Sequence, residues 1–357
     1  MRVAIFGSGS IGGYIGARLT LTGVDTLLVD AWQDHVLAMR RDGLRLTTAE
    51  GGDEIVAVDC AHISDLHRIG MGSIDLAILC VKSYETRWMT TLLRDYLAPS
   101  GVVLSMQNSM NEETIAEVVG NSRVLGCTLT RLGSELEGPG LIHRWMGPPD
   151  ANYAVFRVGE LHGMLSRRVE TVVDLLSGVD KAIATRNLWG ERWSKLSQNA
   201  MASGISPLTH QSINELFTSE VMLPVMVALV REAITVGQSV GYDLEKICGI
   251  TLDAWNDPRG LANGSELFYG LEAWQQNMGP GGQASTLHDM RRGRRTEIDA
   301  INGLIARKAQ EMGVEAPMHT LLCKRVRAQE LQLGAEASYR EEELAAELWA
   351  AAPQSRF

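Results

Sequence analysis

The sequence predicts two domains in series, an α/β domain built on a mainly parallel sheet and then an all-helical domain. Three observations carry this expectation. The chain has 357 residues, more than one ordinary compact core uses and enough for two cores with full interiors. From residue 1 to about 186, short apolar runs ending at glycine, acid, lysine or amide alternate with stretches of helical period, the pattern of strands joined by crossover helices. After Asn187 the strand signal stops and long helical segments take over. The boundary is therefore expected near residue 186, giving domains of 1–186 and 187–357.

In the first domain the strands are read from "RVAIFG", "TLLVD", "LAILCVK" and "GVVLSMQ", with helical stretches such as "IGGYIGARLTLTG" between them. Apolar runs without alternation suit strands buried on both faces. Further strands, some antiparallel, are expected in "VLGCTLTRLGSEL", "GLIHRWMG", "YAVFRVGE" and "KAIATRN", with turns at "EGPG" and "GPPD". The second domain is read from "WGERWSKLSQNAMASG", "SEVMLPVMVALVREAITVGQSVG", "STLHDMRRGRRTEIDAINGLIARKAQEMG" and "PMHTLLCKRVRAQELQL" as four long helices. Gly260 to Gly282, rich in glycine and asparagine, is expected as loop, and the tail "EEELAAELWAAAPQSRF" as a short amphipathic helix or a disordered end.

Composition narrows the partners. A net charge of -10, with 21% charged residues spread without long like-sign blocks, argues against nucleic acid and membrane as partners. The one basic run, Arg291 to Arg295, is flanked by Asp289, Glu297 and Asp299 and is expected on a solvated helix face. Five separated cysteines without a C-x-x-C pair read as reduced thiols. No segment approaches a membrane-spanning length of uninterrupted apolar residues, and the N-terminus reads as a strand entering a glycine loop rather than a signal peptide. A cytoplasmic location follows as the expectation. The eight histidines form no H-x-x-x-H ligand pair, so no metal is expected. There is no Ser-His-Asp nucleophile elbow either.

The first strand runs into "GSGSIGG", which sets Gly7, Gly9 and Gly12 in a G-x-G-x-x-G pattern directly before a helix. This is the context of a Rossmann-type dinucleotide site. Gly7 permits the tight turn, Gly9 lets the pyrophosphate approach and Gly12 lets helix and strand pack closely. Ser8, Ser10 and Ile11 complete the loop at the helix N-terminus, where anions are favoured. Asp30 ends the second strand 18 residues beyond Gly12, placed to accept hydrogen bonds from the adenosine ribose hydroxyls.

Taken in order, "GSGSIGG", "CVKSYET", "SMQNS", "RWSKLSQNA" and "STLHDMRRGRRTEIDAING" make a pattern that resembles the ketopantoate reductase (2-dehydropantoate 2-reductase) family over residues 1 to about 325. The "KLxxNA" and "TEIDxxNG" elements are far more specific than the glycine loop. The resemblance implies a build similar to 6-phosphogluconate dehydrogenase, a nucleotide-binding domain followed by a helical domain with the active site between them. It implies hydride transfer between a nicotinamide cofactor and a 2-keto acid or its 2-hydroxy acid. It also implies that Lys195 is the catalytic lysine and Glu297 the active-site glutamate. Lys82 and Asn108 would lie near the cofactor, and Asn199 and Ser285 would bind substrate. Independently of family, Lys195, Asn199 and Ser203 recur at i, i+4 and i+8 and share one helix face. An ammonium there can polarise a carbonyl and protonate the alkoxide formed on its reduction, or act as base in the other direction. Alone, Lys195 would read as a solvated charge. The resemblance leaves a homodimer open as the assembly.

Several positions depart from the family pattern. Ser109 stands where "QNG" has glycine, Ser203 where a second asparagine is usual, and "SGIS" precedes "PLT" where asparagine commonly precedes proline. The 243–282 stretch is longer than usual and carries Trp255, Phe268, Tyr269 and Trp274, as a different pocket wall or a larger core. The departures at Ser203 to Ser206 lead to the expectation of a substrate other than ketopantoate. Arginine usually follows the second strand to hold the phosphate of NADPH, whereas Ala31, Trp32 and Gln33 follow here. NAD(H) is therefore expected to be preferred over NADP(H). Two other readings are an NAD-dependent catabolic dehydrogenase of a different secondary alcohol and a non-catalytic dinucleotide-binding sensor. Lys195, Asn199 and Glu297 weigh against the sensor.

Overall fold

The computed structural model describes all residues except 148, 151, 277–281, 333–336 and 353–357. The chain divides into two compact units, Met1–Leu188 and Trp189–Phe357.

The first unit contains strands β1 (Arg2–Phe6), β2 (Asp25–Asp30), β3 (Leu44–Thr48), β4 (Asp53–Val56), β5 (Asp59–His62), β6 (Ile74–Leu79), β7 (Leu97–Ser105), β8 (Val124–Leu129), β9 (Ser134–Gly138), β10 (Leu141–Arg144), β11 (Phe156–Glu160) and β12 (Ala182–Ala184). Helices α1 (Ser10–Leu21), α2 (Gln33–Asp42), α3 (Thr86–Leu93), α4 (Glu112–Val119) and α5 (Arg167–Leu176) connect them. The main sheet has the order β12-β11-β8-β7-β6-β1-β2-β5 and is parallel except where β11 runs against β8. Successive residues of β1 explain its unbroken apolar run. Val3 and Ile5 enter one core, Ala4 and Phe6 the core on the opposite face, as a sheet covered on both sides requires.

A second sheet of order β4-β3-β10-β9 corrects the reading of "VLGCTLTRLGSEL" as one strand. The run breaks after Leu129, where Arg131 takes a left-handed φ of 57°, and its halves join different sheets. Strands β3, β4 and β5 were not read from the sequence. They are four or five residues long, and β4 is mostly exposed, so they carry little hydrophobic pattern.

The second unit is helical, with α6 (Leu188–Ser203), α7 (Ser206–Thr209), α8 (Ile213–Thr218), α9 (Met222–Val240), α10 (Leu252–Asn256), α11 (Glu266–Gln276), α12 (Ser285–Arg291), α13 (Asn302–Met312), α14 (Pro317–Glu330) and α15 (Glu341–Ala351). Its only β element among the described residues is a bridge between Ile247 and Ile250. Helix α9 is long and on average apolar enough to cross a membrane, with 19 residues and a mean hydropathy of 1.3, although Arg231 and Glu232 interrupt its apolar run. Here it is the core helix, burying Val225 to Val230. Helix α6 crosses it closely, because a side chain at Gly237 would come within 2.3 Å of the Trp193 indole nitrogen, which instead donates to the Ala233 carbonyl at 2.8 Å.

Three expectations for this unit are corrected. The run from Ser285 is two helices, since α12 stops at Arg291, Gly293 follows at φ 61° and left-handed glycine ends helices. Arg292 to Arg295 are exposed but lie in the ensuing turn rather than on a helix face. The stretch read as loop contains α11, whose start is capped where the Phe268 N–H donates to the Ser265 hydroxyl at 3.0 Å. Part of that stretch, 277–281, lies outside the described residues. The tail's helical alternative holds over Glu341–Ala351, with Leu344 and Leu348 buried; 353–357 lie outside the described residues. Of the aromatic residues in the long stretch, Trp255 is fully buried and Trp274 packs on Phe217 with ring centroids 4.9 Å apart. Both enlarge the core, whereas Tyr269 is exposed.

Candidate active site

In the first unit the candidate cofactor residues gather at the carboxyl ends of β1, β2, β6 and β7. The main sheet runs outward from β1 to β2 on one side and to β6 on the other, the switch point at which open α/β sheets bind ligands. The three glycines of the loop differ in their surroundings. Gly7 has φ 90°, and a side chain there would meet Val81 at 2.9 Å. A β-carbon on Gly12 would fall 2.1 Å from the Gly7 carbonyl oxygen. Gly9 has nothing within 4 Å of that position. It precedes α1, which has no side-chain cap and no acid in its first turn. Backbone N–H groups at an uncapped helix start beside an open glycine fit a pyrophosphate. Ser10 opens α1, Ile11 packs against the core, and Ser8 is buried.

Asp30 faces this loop. Its Oδ2 accepts from the Ser8 hydroxyl at 3.2 Å and its Oδ1 from the Trp32 N–H at 2.9 Å. It therefore fixes the turn leading to α2 without facing away from the glycines, and each oxygen can accept a further bond. The nearby arginines are engaged elsewhere on α2. Arg40 pairs with Asp65 at 2.9 Å and Arg41 with Asp42 at 2.6 Å.

Lys82 and Asn108 lie on neighbouring turns beyond β6 and β7. The Ser83 hydroxyl donates to the Asn108 carbonyl at 3.3 Å, and the Asn111 amide donates to the same carbonyl at 2.7 Å. Gln107 ties the two turns further by donating to the Val81 carbonyl at 2.9 Å and to the Thr86 hydroxyl at 2.8 Å. These bracing residues were not singled out from the sequence, although polar side chains directly after apolar strands are the signal that marks them. Ser109 adopts φ 69°, the left-handed region that suits the glycine of the family pattern and costs other residues roughly 1–2 kcal/mol.

In the second unit Lys195, Asn199 and Ser203 all lie on α6. Lys195 and Asn199 are half-buried and Ser203 is buried. The carbonyl of Ser203 accepts from the Thr286 hydroxyl at 2.8 Å, which ties the end of α6 to the first turn of α12, where Ser285 stands. Glu297 is buried in the turn between α12 and α13, and its carbonyl accepts from the Ala300 and Ile301 N–H groups at 2.9 and 3.0 Å. The preceding Thr296 anchors this turn by donating from its N–H and hydroxyl to Glu330 at 2.7 and 2.6 Å. The "SGIS" segment is interior. Ile205 and Ser206 are fully buried, and the Ser206 hydroxyl donates to the Gln211 carbonyl at 2.6 Å. Ser206 thus closes a turn, and of the altered positions Ser203 lies on the α6 face with Lys195.

A buried polar chain that the sequence did not reveal holds α6 from behind. The Asn302 amide donates to the Ala200 carbonyl at 2.9 Å and to His319 Nδ1 at 3.0 Å, while His319 Nε2 donates to the Leu229 carbonyl at 3.0 Å. Glu232 caps α14, accepting from the Met318 and His319 N–H groups at 3.2 and 3.3 Å. Burial pushes the Glu232 carboxyl up to about 7, against the pull of those two N–H groups. It pulls His319 down to about 4. All five cysteines are free, and no cluster of candidate metal ligands occurs among the described residues.

Two family models match, ketopantoate reductase PanE/ApbA over residues 3–154 and its C-terminal counterpart over residues 187–330. A 2-dehydropantoate 2-reductase of Pyrococcus abyssi is 27% identical over 332 residues, covering 92% of this chain and 98% of that protein. Among solved structures, a PanE/ApbA family ketopantoate reductase from Ralstonia eutropha JMP134 aligns with a TM-score of 0.77 at 26% identity, over 94% of this chain and all of the other. A D-mandelate dehydrogenase in ternary complex with NADH and anilino(oxo)acetate shares the fold at the same TM-score and 22% identity, over 94% of this chain and all of the other.

Proposed function

The chain belongs to the ketopantoate reductase family and is an NAD(P)-dependent oxidoreductase, and we propose that it interconverts a 2-keto acid and its 2-hydroxy acid with Lys195 as the proton donor and acceptor. The observation that carries this reading is the α6 face, on which Lys195, Asn199 and Ser203 recur every fourth residue, beside the helix that begins at Ser285. When bound, the reduced nicotinamide supplies the hydride to the keto carbon. The Lys195 ammonium polarises the carbonyl oxygen and protonates it as negative charge develops there. Glu297 holds the ammonium, Ser285 takes the substrate carboxylate, and Asn199 and Ser203 bind its body. Lys82 and Asn108 attend the cofactor. The relatives favour neither an alcohol of another class nor a non-catalytic sensor.

Relatives are named for 2-dehydropantoate, so that acid is the first substrate to assay. With serine at 203 in place of the usual asparagine, a substrate with a different body is expected to be the better one, because sites that hydrogen-bond a hydroxyl discriminate strongly. A panel of branched and aryl 2-keto acids with NADH and NADPH, followed by absorbance of the reduced nicotinamide, tests the reading. Turnover of at least one keto acid is expected; no turnover of any of them, nor of the matching 2-hydroxy acids with NAD or NADP, would refute it. The five free thiols suit the reducing cytoplasm. A homodimer is the assembly for light scattering to test.

The cofactor is read as NAD(H) in preference to NADP(H). A 2'-phosphate would bring its charge against the Asp30 carboxylate, and the arginines of α2 that could offset it are already paired. Repulsion and lost hydrogen bonds together are worth roughly 1–3 kcal/mol. Wild-type kcat/KM is expected to be higher with NADH, and Asp30→Ala to narrow the gap by gaining NADPH use. Equal or better wild-type kcat/KM with NADPH would overturn the assignment.

A further inference from the structure

We propose that His35 is a positioning residue for the dinucleotide, acting through the peptide that joins Ser8 to Gly9. The proposal rests on the reading of the glycine loop as the pyrophosphate site. His35 lies in the first turn of α2 and is fully buried. The Gly140 N–H donates to its Nδ1 at 2.9 Å, which leaves the ring proton on Nε2. That nitrogen donates to the Ser8 carbonyl at 2.9 Å. A neutral imidazole is suited to this place because it accepts on one side and donates on the other at a fixed separation.

Ser8 is thereby held twice, at its carbonyl by His35 and at its hydroxyl by Asp30. Trp32 closes the ring of contacts, donating its N–H to Asp30 and stacking on His35 with centroids 5.8 Å apart and planes 23° from parallel. In a trans peptide the carbonyl and the following N–H point in opposite directions. Anchoring the Ser8 carbonyl on a buried ring therefore turns the Gly9 N–H away from the interior. That N–H has no hydrogen-bond partner among the described residues. The glycine bearing it stands in open space, where backbone donors receive phosphate oxygens. Without His35 the peptide is free to rotate, and one donor to the pyrophosphate loses its fixed aim.

The test compares full-length wild type with His35→Gln, whose amide can both donate to Ser8 and accept from Gly140, and His35→Asn, which is too short to span both. NADH affinity is measured by fluorescence titration alongside steady-state kinetics, with thermal melts to verify folding. Relative to wild type, His35→Asn is expected to raise the NADH Kd and KM by roughly ten- to a hundredfold, about the worth of one to two buried hydrogen bonds. It should leave kcat at saturating NADH within about threefold and the keto-acid KM unchanged. His35→Gln is expected to recover most of the affinity. Wild-type NADH affinity in His35→Asn would overturn the proposal, as would equal losses in kcat and keto-acid KM, or His35→Gln no better than His35→Asn. A wild-type protein that binds neither NADH nor NADPH would instead overturn the underlying reading of the loop.

Discussion

Gly9 and Gly12 carry the same letter and answer to different constraints. A methyl on Gly12 would press on the Gly7 carbonyl at 2.1 Å and on Cys80 and Ile5 at 3.0 Å, and backbone cannot yield as a flexible side chain does. Gly12→Ala is expected to lower stability by about 1–3 kcal/mol, the cost of overpacking. Gly9→Ala meets nothing within 4 Å and should cost less than about 1 kcal/mol, while obstructing the pyrophosphate. Thermal melts with and without NADH separate the two: Gly12→Ala should melt several degrees low without ligand, Gly9→Ala near wild type but with little gain from NADH. Equal melting of Gly12→Ala and wild type would contradict this account of the loop. The glycine pattern was legible because spacing alone encodes it. His35 was not, because a single histidine in "QDHVLAM" has no pattern, and its role emerges only when Ser8 and Gly140 are brought to either side of it.

At the scale of elements, the buried chain behind α6 gives helices α9, α13 and α14 a pH-dependent junction. The Glu232 carboxyl, ordinarily near 4.5, is raised to about 7, so the stability it lends is full below about pH 4.5 and is lost as pH rises through 7. His319, ordinarily near 6.5, is lowered to about 4, so its contribution is present above about pH 6.5 and is lost as pH falls through 4. Between those limits the two slopes oppose each other and the wild-type profile flattens. Glu232→Gln is expected to unmask a rise in melting temperature from about pH 4 to 6.5, and His319→Gln a fall from about pH 4.5 to 7. Unchanged pH profiles in both variants would contradict the assignment. None of this was readable beforehand, since Glu232, Asn302 and His319 are 70 and 17 residues apart in sequence. Of these helices, α9 and α14 were readable by period, whereas the break at Gly293 that separates α13 from α12 was concealed by a sustained helical pattern on both sides.

For the whole molecule, an α/β unit and a helical unit were legible because period and burial agree along β1, β2, β6 and β7 and along α6 and α9. The small sheet was legible only in part: strands were expected where β10 and the start of β9 lie, whereas β3 and β4 were missed because they are short and partly exposed, and it is pairing between distant segments that makes them strands. The candidate residues were located by motif, and the structure adds what braces them: the Gln107 and Asn111 network beside Asn108, Asp30 on Ser8, and Asn302 behind α6. The proposed reaction depends on Lys195 moving the proton. Its most direct test is turnover of Lys195→Ala with NADH and the best keto acid of the panel, with NADH affinity measured on the same preparation. The variant's kcat is expected to fall by roughly 10² to 10⁴-fold, the usual contribution of a positioned acid or base, with NADH affinity within about threefold of wild type. A variant that turns over at the wild-type rate would contradict it and return Lys195 to the role of a surface charge.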